Sequence, residues 1–352
     1  MRKLFILFTI FCFIACEEEA PPSPDIVIAD PEQILTRPAG FPPLPEFPDN
    51  PFSIEGIAMG KTLFFSKVLS KDYTLSCGSC HAPANGFSDS AQFSTGFNGA
   101  KTPRNSMPLH NLIYEFTFFW DGRVVGLENQ VLEPVSHPDE MNLPWDSATV
   151  RLESTEVGAR IKAFYNTPKI DRSHVANLIS QYIRSLISGN SKFDLYRQGL
   201  VPLTESEIRG MHIFQSEGQP ENSNLARGGD CFHCHTLEAG LFTDFSFHNN
   251  GLDENPADPG LGNVTGNPND HAKFKTPSLR NLSYTGPYMH DGRFSSLEEV
   301  IDHYISGVKE SPTLDPLMKF QGGLFLSETE KTDLINFLNT LNDHEFIQNH
   351  TP

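Results

Sequence analysis

Two five-residue stretches carry the most specific chemistry in this chain: Cys77-Gly78-Ser79-Cys80-His81 and Cys231-Phe232-His233-Cys234-His235. Each reads C-x-x-C-H. At this spacing two thiols can add to the two vinyl groups of a haem, while the next histidine is held under the iron. A zinc site would need two cysteine pairs converging on one metal. These pairs lie far apart in sequence, and each has its own histidine. A redox dithiol has no use for that histidine. The motifs therefore read as attachment sites for two haems c, with His81 and His235 as proximal ligands.

The cysteine count agrees. There are six cysteines. Met1-Arg2-Lys3 followed by the apolar run Leu4 to Ala15 reads as a secretion signal, too short to span a bilayer as a permanent helix. It ends Phe13-Ile14-Ala15-Cys16, which resembles a bacterial lipobox and makes Cys16 the candidate for lipid attachment. Cys12 then leaves with the signal, four cysteines take haem, and none remains for a disulfide. The expected location is the periplasm or outer membrane of a Gram-negative bacterium, held by the lipid. The formal charge of −18 argues against nucleic acid, which wants a basic face, and is compatible with a basic partner protein.

The elements that must position the motifs follow in order. Residues 16–51 are proline-rich and read as an extended tether, in which Phe41 and Phe47 are candidates to dock on the body. Ile54 to Phe64 has helical apolar spacing and leads towards the first haem motif. Asn85 to Ala100 reads as a loop. Leu127-Glu128 opens a helix, and Val175 to Ser188 is amphipathic. Thr204 with Glu207 forms a capping box for a helix leading to the second motif. His248 to Lys273 reads as a long polar loop. A helix runs from Leu297 through Tyr304, and another over Ser327 to Leu341. The two halves repeat: helix, CxxCH, loop, a TP…RN run (Thr102 to Asn105; Thr276 to Asn281), then DGR and a helix opened by Leu-Glu. This predicts a mainly α fold of two cytochrome c-like haem domains, 52–200 and 201–345, related by internal duplication. The copies differ before the DG pair, where Trp120 stands in the first and His290 in the second.

With these motifs, and with FFWDGR at Phe118 to Arg123, PVSHPDEM at Pro134 to Met141 and the run Thr276 to Val300, the chain resembles the bacterial di-haem cytochrome c peroxidase/MauG family. The resemblance implies a peroxidase that reduces hydrogen peroxide with electrons from a small redox protein, or a MauG-like oxidation of a protein or organic substrate. A non-enzymatic electron carrier is the remaining alternative. Family members are often homodimers. Carried over by position, Trp120 stands between the haems, Gln130 and Glu140 line the distal pocket of the first haem, and Asn105, Thr285 and Pro287 help hold a calcium ion between the domains. Glu140 would move a proton between the two oxygens of H2O2, a task suited to a carboxyl whose pKa is raised by partial burial. His137 nearby reads as a packing residue.

Two positions depart from the peroxidase branch. Its distal histidine on the first haem is replaced by Phe97, with His110 further along as a substitute ligand. Its distal methionine on the second haem is replaced by Tyr304, as in the MauG branch. A phenolate ligand stabilises the ferric and higher oxidation states, where a thioether favours the ferrous. Met289 is the alternative ligand, and Met318 a more remote one.

Overall fold

The computed structural model describes residues 31–218, 228–321 and 324–351. The expected secretion signal, Cys16 and the first part of the tether lie outside these residues. The described chain is mainly helical, with two short antiparallel ladders: β1 (Thr117–Phe118) with β2 (Val124–Val125), and β3 (Phe247–His248) with β4 (Phe274–Lys275).

Each half is built on one helix crossing. In the first, α1 (Ile54–Phe65) packs on α3 (Arg172–Arg184), with α2 (Leu127–Ser136) laid against α3. In the second, α4 (Glu205–Gln215) packs on α6 (Glu328–Asn339), with α5 (Leu297–Asp302) beside it. Both crossings depend on a glycine. A Cβ on Gly60 would lie 1.9 Å from the Leu178 carbonyl oxygen, and one on Gly210 would lie 1.9 Å from that of Asp333. Four residues after each glycine stands a fully buried phenylalanine. Phe64 meets Tyr182 edge-on at 5.2 Å, and Phe214 meets Phe337 at 5.4 Å. The duplication read from the motifs is thus repeated in the packing.

Local signals place the helix ends. Thr204 and Glu207 form the expected capping box, as do Ser327 and Glu330. The amphipathic helix expected from Val175 starts earlier, because Asp171 caps it at Arg172. It ends before Ser188, because Asn111 takes over the backbone there: its side chain accepts from Ser188 N and donates to Ser188 O, both at 2.9 Å. The helix through Tyr304 is α-helical only to Asp302. His303–Gly307 form a π turn.

The two cores are separate, but their membership crosses the expected boundaries. Phe193, placed by sequence in the first domain, packs in the second core, where Asp194 makes a bidentate pair with the buried Arg280 at 2.7 and 2.8 Å. Phe346 and Ile347, in the helix His344–His350, pack in the first core. The described part of the tether does not stand off from the body. Leu35, Phe41, Leu44 and Phe52 are buried with Ile113, Tyr114 and Leu241. The proline-rich pattern predicted an extended backbone but could not show that its apolar residues find a common surface.

Candidate active site and the two haem-binding clefts

Both histidines of the haem motifs are held in the same way. His81 Nδ1 lies 3.0 Å from the Phe87 carbonyl oxygen, and His235 Nδ1 lies 3.0 Å from that of Phe242. Phe87 and Phe242 both adopt left-handed backbone (φ 60 and 53), which turns their carbonyls back towards the motif. A hydrogen bond at Nδ1 fixes the tautomer and leaves Nε2 as the free donor atom. Burial lowers the pKa of both imidazoles, so they stay neutral, the ligating form. Burial also pushes the thiol of Cys77 to about 12, Cys80 to about 11 and Cys231 to about 12. Zinc thiolates and redox dithiols require the opposite shift, and among the described residues no ligand group joins the two cysteine pairs. The donor set therefore fits haem c: a pair of thiols for the vinyl groups and an oriented imidazole for the iron in each motif.

The first cleft is the smaller of the two, with about 660 Å³ of free space that includes its opening to solvent. Cys77, Cys80 and His81 line it together with Gln130 of α2 and with Glu140. The structure thus brings together the residues expected here. Burial raises the pKa of Glu140, only partly offset by His137, whose Nδ1 lies 3.9 Å away. The loop expected to carry Phe97 contributes Gly96 to the lining instead. Phe97 turns its ring under the Lys71 ammonium at 4.9 Å, while its backbone N donates to the Glu140 carbonyl at 2.7 Å. The residue that replaces the expected histidine therefore anchors the backbone of the acid. His110 does not line this cleft. It is buried beside Phe346 with neither ring nitrogen hydrogen-bonded, and burial lowers its pKa to about 4.

The second cleft is larger, with about 1,520 Å³ of free space open to solvent. Cys231, Cys234 and His235 line it, as do Tyr304, Met289 and Met318. Burial pushes the Tyr304 phenol up to about 12. Asn105, Thr285 and Pro287 also line this cleft, the first from one half and the other two from the other. Trp120 lines the second cleft and not the first. Its link to the first runs through a neighbouring backbone: Trp120 Nε1 donates to Asn105 O at 2.9 Å, and the next residue, Ser106, places its hydroxyl 3.3 Å from His81 Nδ1. Asn105 N in turn donates to His290 O at 2.8 Å. Arg104, in the same run, pairs with Asp121 at 2.6 Å and with Asp258 at 2.7 Å, tying the halves together.

Sequence reading passed over two residues of the second cleft, His248 and Asn250, because both stand at the edge of a stretch read as polar loop. His248 is clamped between carboxylates, with Nε2 2.8 Å from Asp244 and Nδ1 2.7 Å from Asp315. The hydrogen bonds to Asp244, then to Asp315, raise its pKa to about 12, so it is an imidazolium on the cleft wall. A histidine four residues after an aspartate was the available signal. Asp315 lies far along the chain and gave none.

Fold and clefts define a mainly helical protein built to carry two covalently attached haems c. Comparison with known proteins places it further: residues 54–201 match the family model described as di-haem cytochrome c peroxidase. The chain is 38% identical to the methylamine utilization protein MauG of Methylorubrum extorquens, over 83% of this chain and 79% of that one. It is 35% identical to the cytochrome-c peroxidase IdrP1 of Pseudomonas sp., over 89% and 88%. Among solved structures, it superposes with a TM-score of 0.79 on a MauG-like protein associated with microbial copper homeostasis, 34% identical, covering 89% of this chain and 96% of that one. The diheme peroxidase BthA of Burkholderia thailandensis shares the fold at TM-score 0.72. The chain belongs to the di-haem cytochrome c peroxidase family.

Proposed function

We propose that this di-haem peroxidase reduces hydrogen peroxide to water at the cleft of His81, taking two electrons and two protons per turnover. The observation that carries the reading is Glu140, a carboxyl with a raised pKa lining the same cleft as His81 and Gln130. Haem bound through Cys77 and Cys80, with His81 as iron ligand, supplies the redox centre that exchanges electrons with the peroxide. Glu140 accepts the proton from one peroxide oxygen and returns it to the other, which leaves as water. Gln130 offers an amide to orient the substrate. Trp120, on the wall of the second cleft and linked through Asn105–Ser106 to His81, relays electrons between the halves. The second haem would be held through Cys231, Cys234 and His235, with Tyr304 offering a further donor atom to its iron, and would supply a store for an oxidising equivalent. Adding stoichiometric H2O2 to the diferric protein is expected to change its visible spectrum at once. Glu140→Gln should slow this change ~10²–10⁴-fold with both haems retained; equal rates would remove Glu140 from the mechanism.

The same geometry supports a MauG-like reading, in which the electrons come from a protein or organic substrate; the MauG relatives and Tyr304 favour it. Steady turnover with a reduced c-type cytochrome or cupredoxin separates the two. A calcium ion held by Asn105, Thr285 and Pro287 completes the proposal. The Asn105 amide Nδ2 already donates to the carbonyls of Ala91 and Gln92, which leaves Oδ1 for a hard cation. Export and lipid attachment at Cys16 rest on the sequence. Fatty-acid labelling of the expressed protein, lost in Cys16→Ser, tests them.

A further inference from the structure

We infer that Asn250 is a positioning residue that decides which side chain, Tyr304 or Met289, takes the sixth position at the second iron. The inference rests on the reading of Tyr304 as that ligand. Asn250 Nδ2 lies 3.3 Å from Tyr304 Oη and 3.4 Å from Met289 Sδ. Both candidate donors therefore meet at one amide, in the cleft that His235 also lines.

The two acceptors are unequal. A phenolate oxygen is anionic and takes a charge-assisted hydrogen bond from an amide N–H, whereas a thioether sulfur is a weak acceptor. An amide held at this point lowers the free energy of tyrosinate relative to thioether ligation.

Asn250 is held through its backbone. Its backbone carbonyl accepts from His303 Nε2 at 3.0 Å, so backbone and side chain of Asn250 contact two consecutive residues of the π turn that presents Tyr304. Its neighbour Asn249 donates to Ser311 Oγ at 3.0 Å and Thr313 Oγ1 at 2.9 Å, and His248 is clamped as described. A backbone anchored this firmly sets where the Asn250 amide stands, and a hydrogen-bonding neighbour of a ligand orients the ligand and tunes its donor strength.

The test uses the full-length ferric protein with both haems. Magnetic circular dichroism and EPR identify the sixth ligand, and a potentiometric titration follows the second haem. In Asn250→Leu the tyrosinate signature should weaken or vanish, a thioether-to-iron charge-transfer band should appear, and the midpoint potential should rise. Adding Met289→Leu should abolish that band. Tyr304→Phe is measured alongside. If Tyr304→Phe alters the spectrum but Asn250→Leu matches wild type in spectrum and potential, Asn250 has no such role, although Tyr304 remains the ligand. If Tyr304→Phe matches wild type, tyrosine ligation itself fails, and the inference with it. Should Asn250→Leu not assemble with two haems, Asn250→Thr, which cannot reach both acceptors, is read in the same way.

Discussion

The two clefts share a hook and differ in the ionisable side chains that face it. In each, a C-x-x-C-H motif turns its histidine onto a left-handed phenylalanine carbonyl, in a half whose helix crossing is made possible by one glycine. Around His81 stand a carboxyl and an amide, Glu140 and Gln130. Around His235 stand a phenol, two thioethers and a clamped imidazolium. Both copies keep the motif that binds the cofactor, and they differ in the residues that line the cleft around it. On the proposed function, one cleft handles protons and the other holds charge.

The sharpest way to break this contrast is to remove the proton handling. The pKa of Glu140 is raised by burial, so the carboxylate that accepts a proton forms only above the usual glutamate range. The rate constant for reaction with H2O2 should therefore fall as pH drops through that raised value. Glu140→Gln should be slower by ~10²–10⁴-fold and flat across the same range. A glutamine variant that keeps the wild-type pH profile would place the proton step elsewhere.

A second test sets the hooks against each other. Gly60→Ala and Gly210→Ala each force a methyl against a backbone carbonyl. Such overpacking costs about 1–3 kcal/mol, and more where backbone must move. Since the cores are separate, each change should loosen its own haem first, seen as selective loss of one set of haem signals on heating. Identical behaviour of the two variants would mean that the halves unfold as one unit.

The smallest effect concerns the imidazolium. The pKa of His248 is raised from 6.5 to about 12 by Asp244 and Asp315, and theirs are lowered from 3.8. A raised pKa in the folded state adds stability that is complete below 6.5 and is lost as pH climbs towards 12. The lowered carboxylates add stability that is lost below 3.8. His248→Gln should thus cost roughly 1.5–3 kcal/mol, most between about pH 4 and 6.5, with the gap in melting temperature closing in alkali. A gap that widens with pH would contradict the charged clamp.

Much of this contrast was legible in the sequence. The haem motifs, the capped helices and the internal repeat follow from residue type and spacing, and the family resemblance implied that Gln130 and Glu140 share one cleft. What stayed hidden depends on contacts between distant segments. Asp315 reaches His248 across 67 positions, and Asn250 reaches Tyr304 across 54. Gly60 and Gly210 looked like ordinary helix residues, because only the partner backbone shows why a side chain is forbidden. Trp120 was read between two haems, and only the structure assigns its ring to the second cleft. The π turn over His303–Gly307, which contains Tyr304, has no local signature.

The helix His344–His350 carries a consequence for assembly. It places Phe346 5.8 Å and His350 5.5 Å from the ring of Phe87, the residue whose carbonyl steers His81. This helix is synthesised after both haem motifs. The core behind the first haem motif is therefore complete only when a segment from the far end of the chain packs onto it. The half that is translated first depends for its closure on residues translated last.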